Sequence, residues 1–171
     1  MEEMEVPTEH LHEEIEEEVK EALNKNEKKS SMAIAISTAL MAVFAAISSL
    51  LAGHHADEAV IEQIHASDQW SFYQAKGIKE EIVSLSSSPD KEARSAKYKS
   101  QQAEIQKEAK SAEEASHAHL EHHAILARAV TLFQISIAIS AIAILTRKKF
   151  LWFISLGISG FGIFFFITGI F

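Results

Sequence analysis

Three blocks of the chain are apolar on every side of a helix. MAIAISTALMAVFAAISSLLA covers residues 32–52, a second block covers 124–145 with Arg128 near its start, and FLWFISLGISGFGIFFFITGIF covers 150–171. About 20 apolar helical residues cross a hydrocarbon layer ~30 Å thick, and a helix of that length without a polar face has no side to turn to water. The pattern predicts transmembrane helices over 32–52, 128–145 and 150–171, the last two joined by a turn at 146–149.

Between the first two blocks the rhythm becomes amphipathic. Val60, Ile64, Ser67, Ser71, Ala75, Ile78, Ile82 and Leu85 recur at steps of three and four, which is helical spacing. SLSSSPDKEA then supplies a break, with Ser88 as a natural N-cap and Pro89 suited to the first helical position. Beyond it Ile105, Ala109, Ala112, Ser116, His119, His123 and Leu126 alternate steps of four and three, the spacing of a coiled coil with small knobs. Two legs of about 36 residues, each roughly 50 Å long at 1.5 Å per residue, predict an antiparallel helical hairpin. Its tip falls near 86–89, and its legs continue into the first two membrane helices.

The expected fold is therefore an all-α membrane protein, with three transmembrane helices and a long extracytoplasmic hairpin over 53–127. The hairpin stripe is too rich in alanine to bury much area in an isolated pair, so an oligomeric bundle is expected; a mobile charged loop is the alternative. Residues 1–31 read as an acidic cytoplasmic amphipathic helix. Leu11, Ile15, Val19, Ala22 and Leu23 form its apolar ridge, and Thr8 is a candidate cap. That ridge lines an oligomer interface, packs under the bundle, or belongs to a solvated helix.

Charge orients the chain. Residues 1–31 carry a net −7 and residues 53–127 a net −5, within an overall −8. Basic residues cluster beside the apolar blocks in two places, Lys25, Lys28 and Lys29, and Arg147, Lys148 and Lys149. Both clusters belong on the cytoplasmic side. The expectation is a cytoplasmic N-terminus, with the hairpin and the C-terminus on the outer side and the first block retained as a signal-anchor. With no cysteine, disulfides and thiolate chemistry are excluded. The acidic balance and the lack of a basic stripe argue against nucleic acid.

Seven of the nine histidines fall in the hairpin segment. Folding about Ser88-Pro89 sets His54 opposite His122, Asp57 opposite His119 and His55 near Glu121, immediately above the membrane. His119 and His123 also share a helix face at a spacing suited to two imidazole ligands. His54, His55, His119, His122 and His123 thus form a candidate collar with three readings. It could hold a divalent metal, respond to external pH, or consist of imidazoles suited to the headgroup boundary.

Asp68, Trp70, Tyr73, Gln74 and Lys76 make a polar-aromatic group, read either as a contact surface or as a packing layer. Thr131, Gln134, Ser136 and Ser140 put hydroxyls and an amide into the second apolar block, for close helix packing or for lining a pore in an oligomer. No nucleophile with a base, phosphate-binding glycine loop or HExxH motif occurs, so no enzyme and no cofactor are expected.

The run SLLAGHHADEAVIEQIHASDQWSFYQAKGIKE, together with LFQISIAISAIAILTRKKFLWFISLGISGFG, resembles a bacterial membrane-protein family catalogued as domain of unknown function 4337. The matching features are Gly53-His54, Gln63, Ala66, Asp68, Trp70, Tyr73 to Lys76, Lys79 and the Arg147–Lys149 turn with Leu151-Trp152. The resemblance implies a bacterial inner-membrane protein and no activity. The residues themselves point to a self-associating, non-enzymatic scaffold whose partners are the lipid bilayer and copies of itself. The alternatives are an oligomeric channel or transport component gated at the collar, and a periplasmic metal or pH sensor.

Overall fold

The computed structural model describes the backbone over residues 8–171 and the side chains over residues 28–171. The ridge from Leu11 to Leu23 and the capping role of Thr8 lie outside the described side chains. Helix α1 spans Thr8–Ser84, α2 spans Lys91–Thr146 and α3 spans Lys149–Ile170. All three are long and apolar enough to cross a membrane. The chain has two prolines, Pro7 and Pro89, and α1 fills the interval between them. At 1.5 Å per residue its 77 residues extend over roughly 115 Å.

Pro89 does not open the second helix. It sits in the turn, and Asp90 holds the N-cap position with φ −90° and ψ 4° and no side-chain cap. The residue before a proline is driven away from helical dihedrals, which delays helix entry. The Lys91 amide donates to the Ser88 carbonyl at 3.2 Å and the Arg94 amide to the Asp90 carbonyl at 3.1 Å, both without a capping side chain.

Side-chain contacts pair α1 with α2 in opposite directions. Ser95 donates to Glu80, Lys76 to Gln101, Ser116 to the Ala59 carbonyl, and Thr38 meets Ser140. The buried positions of α1 along this seam are Ala52, Ala59 and Ala66, seven residues apart, and then Val83. Against them α2 buries Ile105, Ala109, Ala112 and Ser116. Small side chains let the two backbones approach closely, and the seven-residue repeat keeps the seam facing its partner. The large aliphatics of the α1 pattern lie elsewhere: Val60, Ile64, Ile78, Ile82 and Leu85 are all more than half exposed. Branched side chains of that size would hold the helices apart at the alanine seam.

After α2 the chain reverses through Arg147, in the left-handed region at φ 54°, and an extended Lys148. Helix α3 then packs chiefly on α2. Met41, Ala129 and Phe133 form the buried core, joined by Phe44, Phe165 and Phe166. The Phe44 ring stacks on Phe133 at 6.0 Å and meets Phe166 edge-on at 5.8 Å. Two glycines admit this packing. A Cβ on Gly162 would stand 3.1 Å from the Phe133 ring, and one on Gly169 would stand 2.8 Å from Leu126 Cγ.

Candidate functional site

Where α1 and α2 leave their apolar segments, polar groups join them on three successive levels. His123 Nδ1 bonds the Ala52 carbonyl at 2.8 Å. Next, His55 Nδ1 faces His119 Nδ1 at 3.1 Å. Above that, Ser116 Oγ donates to the Ala59 carbonyl at 2.8 Å. Positions 52, 55 and 59 fall on successive turns of the alanine seam, so the helix repeat itself sets these rungs. Helix α3 is tied to the same level, because His122 Nδ1 bonds the Gly169 carbonyl at 3.0 Å. That carbonyl lies in the last turn of α3, where intrahelical donors run out, and a histidine there also complements the helix dipole.

The four rings differ in what protonation does to them. His122 and His123 point an N–H at a carbonyl, a bond that survives when the ring gains a proton. His55 and His119 present one nitrogen each to the other. One must donate and the other accept, so the contact needs a neutral ring as acceptor. The His55 ring lies 5.4 Å from His119, 5.1 Å from His122 and 5.8 Å from His54. Burial holds its pKa below the ordinary imidazole value; the charges of His122, His119 and His54 add to this, and Glu58 opposes it.

His55 is thus the centre of the cluster, facing His119 and His122. His54 and Asp57 are exposed. The register drawn about Ser88-Pro89 is close, but the phase of the alanine seam turns position 55 inward and leaves 54 outside. Among the described residues, no group of three or more His, Cys, Asp or Glu side chains is arranged to hold a metal ion.

The polar-aromatic group divides between two faces. Trp70 donates to Glu113 Oε1 at 2.8 Å and packs edge-on against Tyr73 at 5.6 Å. Lys76 donates to Gln101 at 3.0 Å and lies over the Phe72 and Tyr98 rings. Asp68 and Gln74 are exposed. Further out, Glu80 accepts from Ser95 and pairs with Lys99 at 3.4 Å. The Ser95 hydrogen bond, followed by Lys99, lowers its pKa. Mirror register brings Lys76 toward Gln101, whereas Glu113 lies beyond the position that register sets opposite Trp70.

The polar residues of the second apolar block also separate. Ser136 and Ser140 are fully buried, whereas Thr131 and Gln134 are exposed. Thr38 donates to the Ile34 carbonyl at 2.7 Å, which uses its only proton. Ser140 is therefore the donor in its contact with Thr38. The Trp152 indole donates to Ser37 at 3.1 Å, and Ser37 passes its proton to the same Ile34 carbonyl at 2.9 Å. All three helices thus converge on one backbone oxygen, near the end where the two basic clusters stand. Nothing in the sequence pattern marks Trp152 as a partner of Ser37. On the outer side of α3, Gly157, Gly160, Phe161, Phe164 and Phe165 line an open apolar groove of about 500 Å³.

In comparisons with known proteins, the family model described as Domain of unknown function (DUF4337) matches residues 30–171. No curated protein and no solved structure matches the chain.

Proposed function

This chain belongs to the family described as a domain of unknown function, DUF4337, and on that premise we propose a non-enzymatic integral membrane protein that self-associates into a scaffold. In this reading the chain sits in a bacterial inner membrane, its N-terminus in the cytoplasm and the 53–127 hairpin outside. The proximity of the two basic clusters, at the end where Trp152 meets Ser37, supports that orientation.

The observation that carries self-association is Gln134. It stands near the middle of the second apolar block, on an exposed face of α2 that also carries Thr131, Ala138 and Ala141. Thr131 satisfies itself on the Ala127 carbonyl of its own helix. The Gln134 amide has no hydrogen-bond partner among the described residues. In hydrocarbon such a group costs on the order of several kcal/mol. An amide both donates and accepts, so two identical side chains satisfy each other across a twofold axis. The small neighbours allow the close approach this needs.

Light scattering on detergent-purified protein tests the reading. An oligomer is expected whose dissociation constant rises roughly 3- to 20-fold in Gln134→Leu, from about 0.6 to 1.7 kcal/mol for an interhelical hydrogen bond. A monomeric wild type would end it.

A second reading, response to external acid, is favoured by the His55–His119 contact, which tolerates only one donated proton. The protection of the amides around Ala52 to Ala59, taken relative to the unstructured rate at each pH, should fall between about pH 7.5 and about pH 5, the range in which imidazoles titrate. Identical profiles in wild type and His55→Gln would remove it.

A further inference from the structure

Outside the three apolar segments, the exposed large aliphatic and aromatic side chains are unequally shared. On α1 they include Val60, Ile64, Ile78, Ile82 and Leu85, the last 83% exposed. Over the facing part of α2, from Lys91 to His123, Leu120 alone among the described residues is both large and strongly exposed. These five α1 residues lie on one side of their helix, away from the alanine seam, with Ser67, Ser71 and Ala75 between them, while the exposed Ile61 and Phe72 stand to one side of that stripe. Intrachain packing leaves this face uncovered. An uncharged face with exposed branched side chains at both ends and small ones between, on a water-exposed helix, is suited to an interaction surface.

We propose that the outward face of α1, from Val60 to Leu85, is the seam along which a second copy of this chain docks in parallel. The proposal rests on the self-association reading and names the surface that serves it. Two features select a second copy as the occupant. First, α1 runs without interruption from its apolar segment into this face, so two copies held in one bilayer present identical residues at the same height. No charged residue lies on the stripe, and identical positions can therefore meet without like-charge repulsion.

Second, the area fits a membrane-held partner better than a soluble one. About 25 residues at 1.5 Å make a strip roughly 38 Å long and about 10 Å wide, on the order of 400 Å² per copy. A stable complex between free proteins takes about 800 Å² per partner. Confinement in a bilayer removes much of the orientational and translational cost, so a strip of about half that size suffices there.

The chain has no cysteine, so disulfide trapping in native membranes runs without background. Ile64→Cys and Ile78→Cys are introduced singly into the full chain, with Glu104→Cys and Lys107→Cys on the exposed side of α2 as references. The proposal expects a cross-linked product of twice 19.0 kDa at positions 64 and 78 and its loss at 104 and 107. The double variant Ile64→Glu/Ile78→Glu is expected to lose that association, with its helix content by circular dichroism unchanged. An oligomer that cross-links only elsewhere, for example through Gln134→Cys or Gly157→Cys, overturns this seam and leaves self-association standing. A product of any other mass at positions 64 and 78 names a different partner and overturns it as well. A monomer in native membranes overturns both readings.

Discussion

His55 and His119 meet nitrogen to nitrogen at 3.1 Å across the two long helices, where a single shared proton separates attraction from repulsion. His122 and His123, a few positions along α2, instead hold backbone carbonyls through a ring N–H, a bond that needs no neutral ring as acceptor. One cluster therefore contains an acid-sensitive contact between acid-tolerant ones.

The sign of the resulting pH dependence follows from His55. Its pKa in the folded chain is lowered, first by burial and then by His122, His119 and His54, against a small opposing effect of Glu58. The unfolded chain therefore takes up this proton more readily than the folded one. The stabilisation is complete above the ordinary imidazole value of 6.5 and is lost as pH falls below it. The melting temperature in detergent is expected to be lower at about pH 5 than at about pH 7.5, with a smaller gap in His55→Gln. Equal gaps in both proteins would show that His55 is not the responsible group.

Glycines provide a test of the helix packing. A Cβ added at Gly169 would stand 2.8 Å from Leu126 Cγ, and Leu126 is fully buried with no room to yield. Gly169→Ala is expected to cost about 1–3 kcal/mol through overpacking. At Gly53 a Cβ meets nothing within 4 Å, and Gly53→Ala should instead stabilise α1 by up to about 1 kcal/mol through helix propensity. Unfolding in graded SDS measures both; equal effects at the two sites would refute the close approach of α2 and α3.

The convergence on Ile34 predicts a coupling energy. Ser140 donates to Thr38, which is already bonded to the Ile34 carbonyl. Thr38→Val and Ser140→Ala, alone and together, form a double-mutant cycle. Its interaction term is expected near 0.6 kcal/mol and below about 1.7 kcal/mol, the range for hydrogen bonds between membrane helices. Additive single effects would mean that the two hydroxyls do not bond.

The resemblance to the DUF4337 family, carried by the ASDQW…YQAK run and the Arg147–Lys149 turn, agrees with a family match that covers residues 30–171. The three apolar helices could be read from composition because hydrocarbon admits only one answer to 20 apolar residues: a helix that satisfies its own backbone. The break between α1 and α2 was readable for a similar reason, since Pro89 constrains its neighbours whatever surrounds them. The α2 stripe of Ile105, Ala109, Ala112, Ser116 and Leu126, now buried, showed in the sequence because small residues recur there at coiled-coil steps.

The α1 face was the harder case. Val60, Ile64, Ile78, Ile82 and Leu85 carry the stronger hydrophobic signal, yet the helix turns Ala52, Ala59 and Ala66 toward α2. Periodicity reports that a helix has an apolar side and does not say which of two sides a given partner takes. That choice depends on how closely the backbones come together, and hence on the side chains opposite, Ala109 and Ala112.

Local rules written in the residues were enough for the elements: helices where apolar length or spacing demands them, a turn where proline interrupts, and positive charge at one end of the apolar blocks. Which residues meet depends on how the three helices pack. That packing selected His55 over His54, split Thr131 and Gln134 from Ser136 and Ser140, and brought Trp152 to Ser37. Those outcomes rest on rotations of about 100° per residue between helices distant in sequence, and a single step moves a side chain from the seam to the outside.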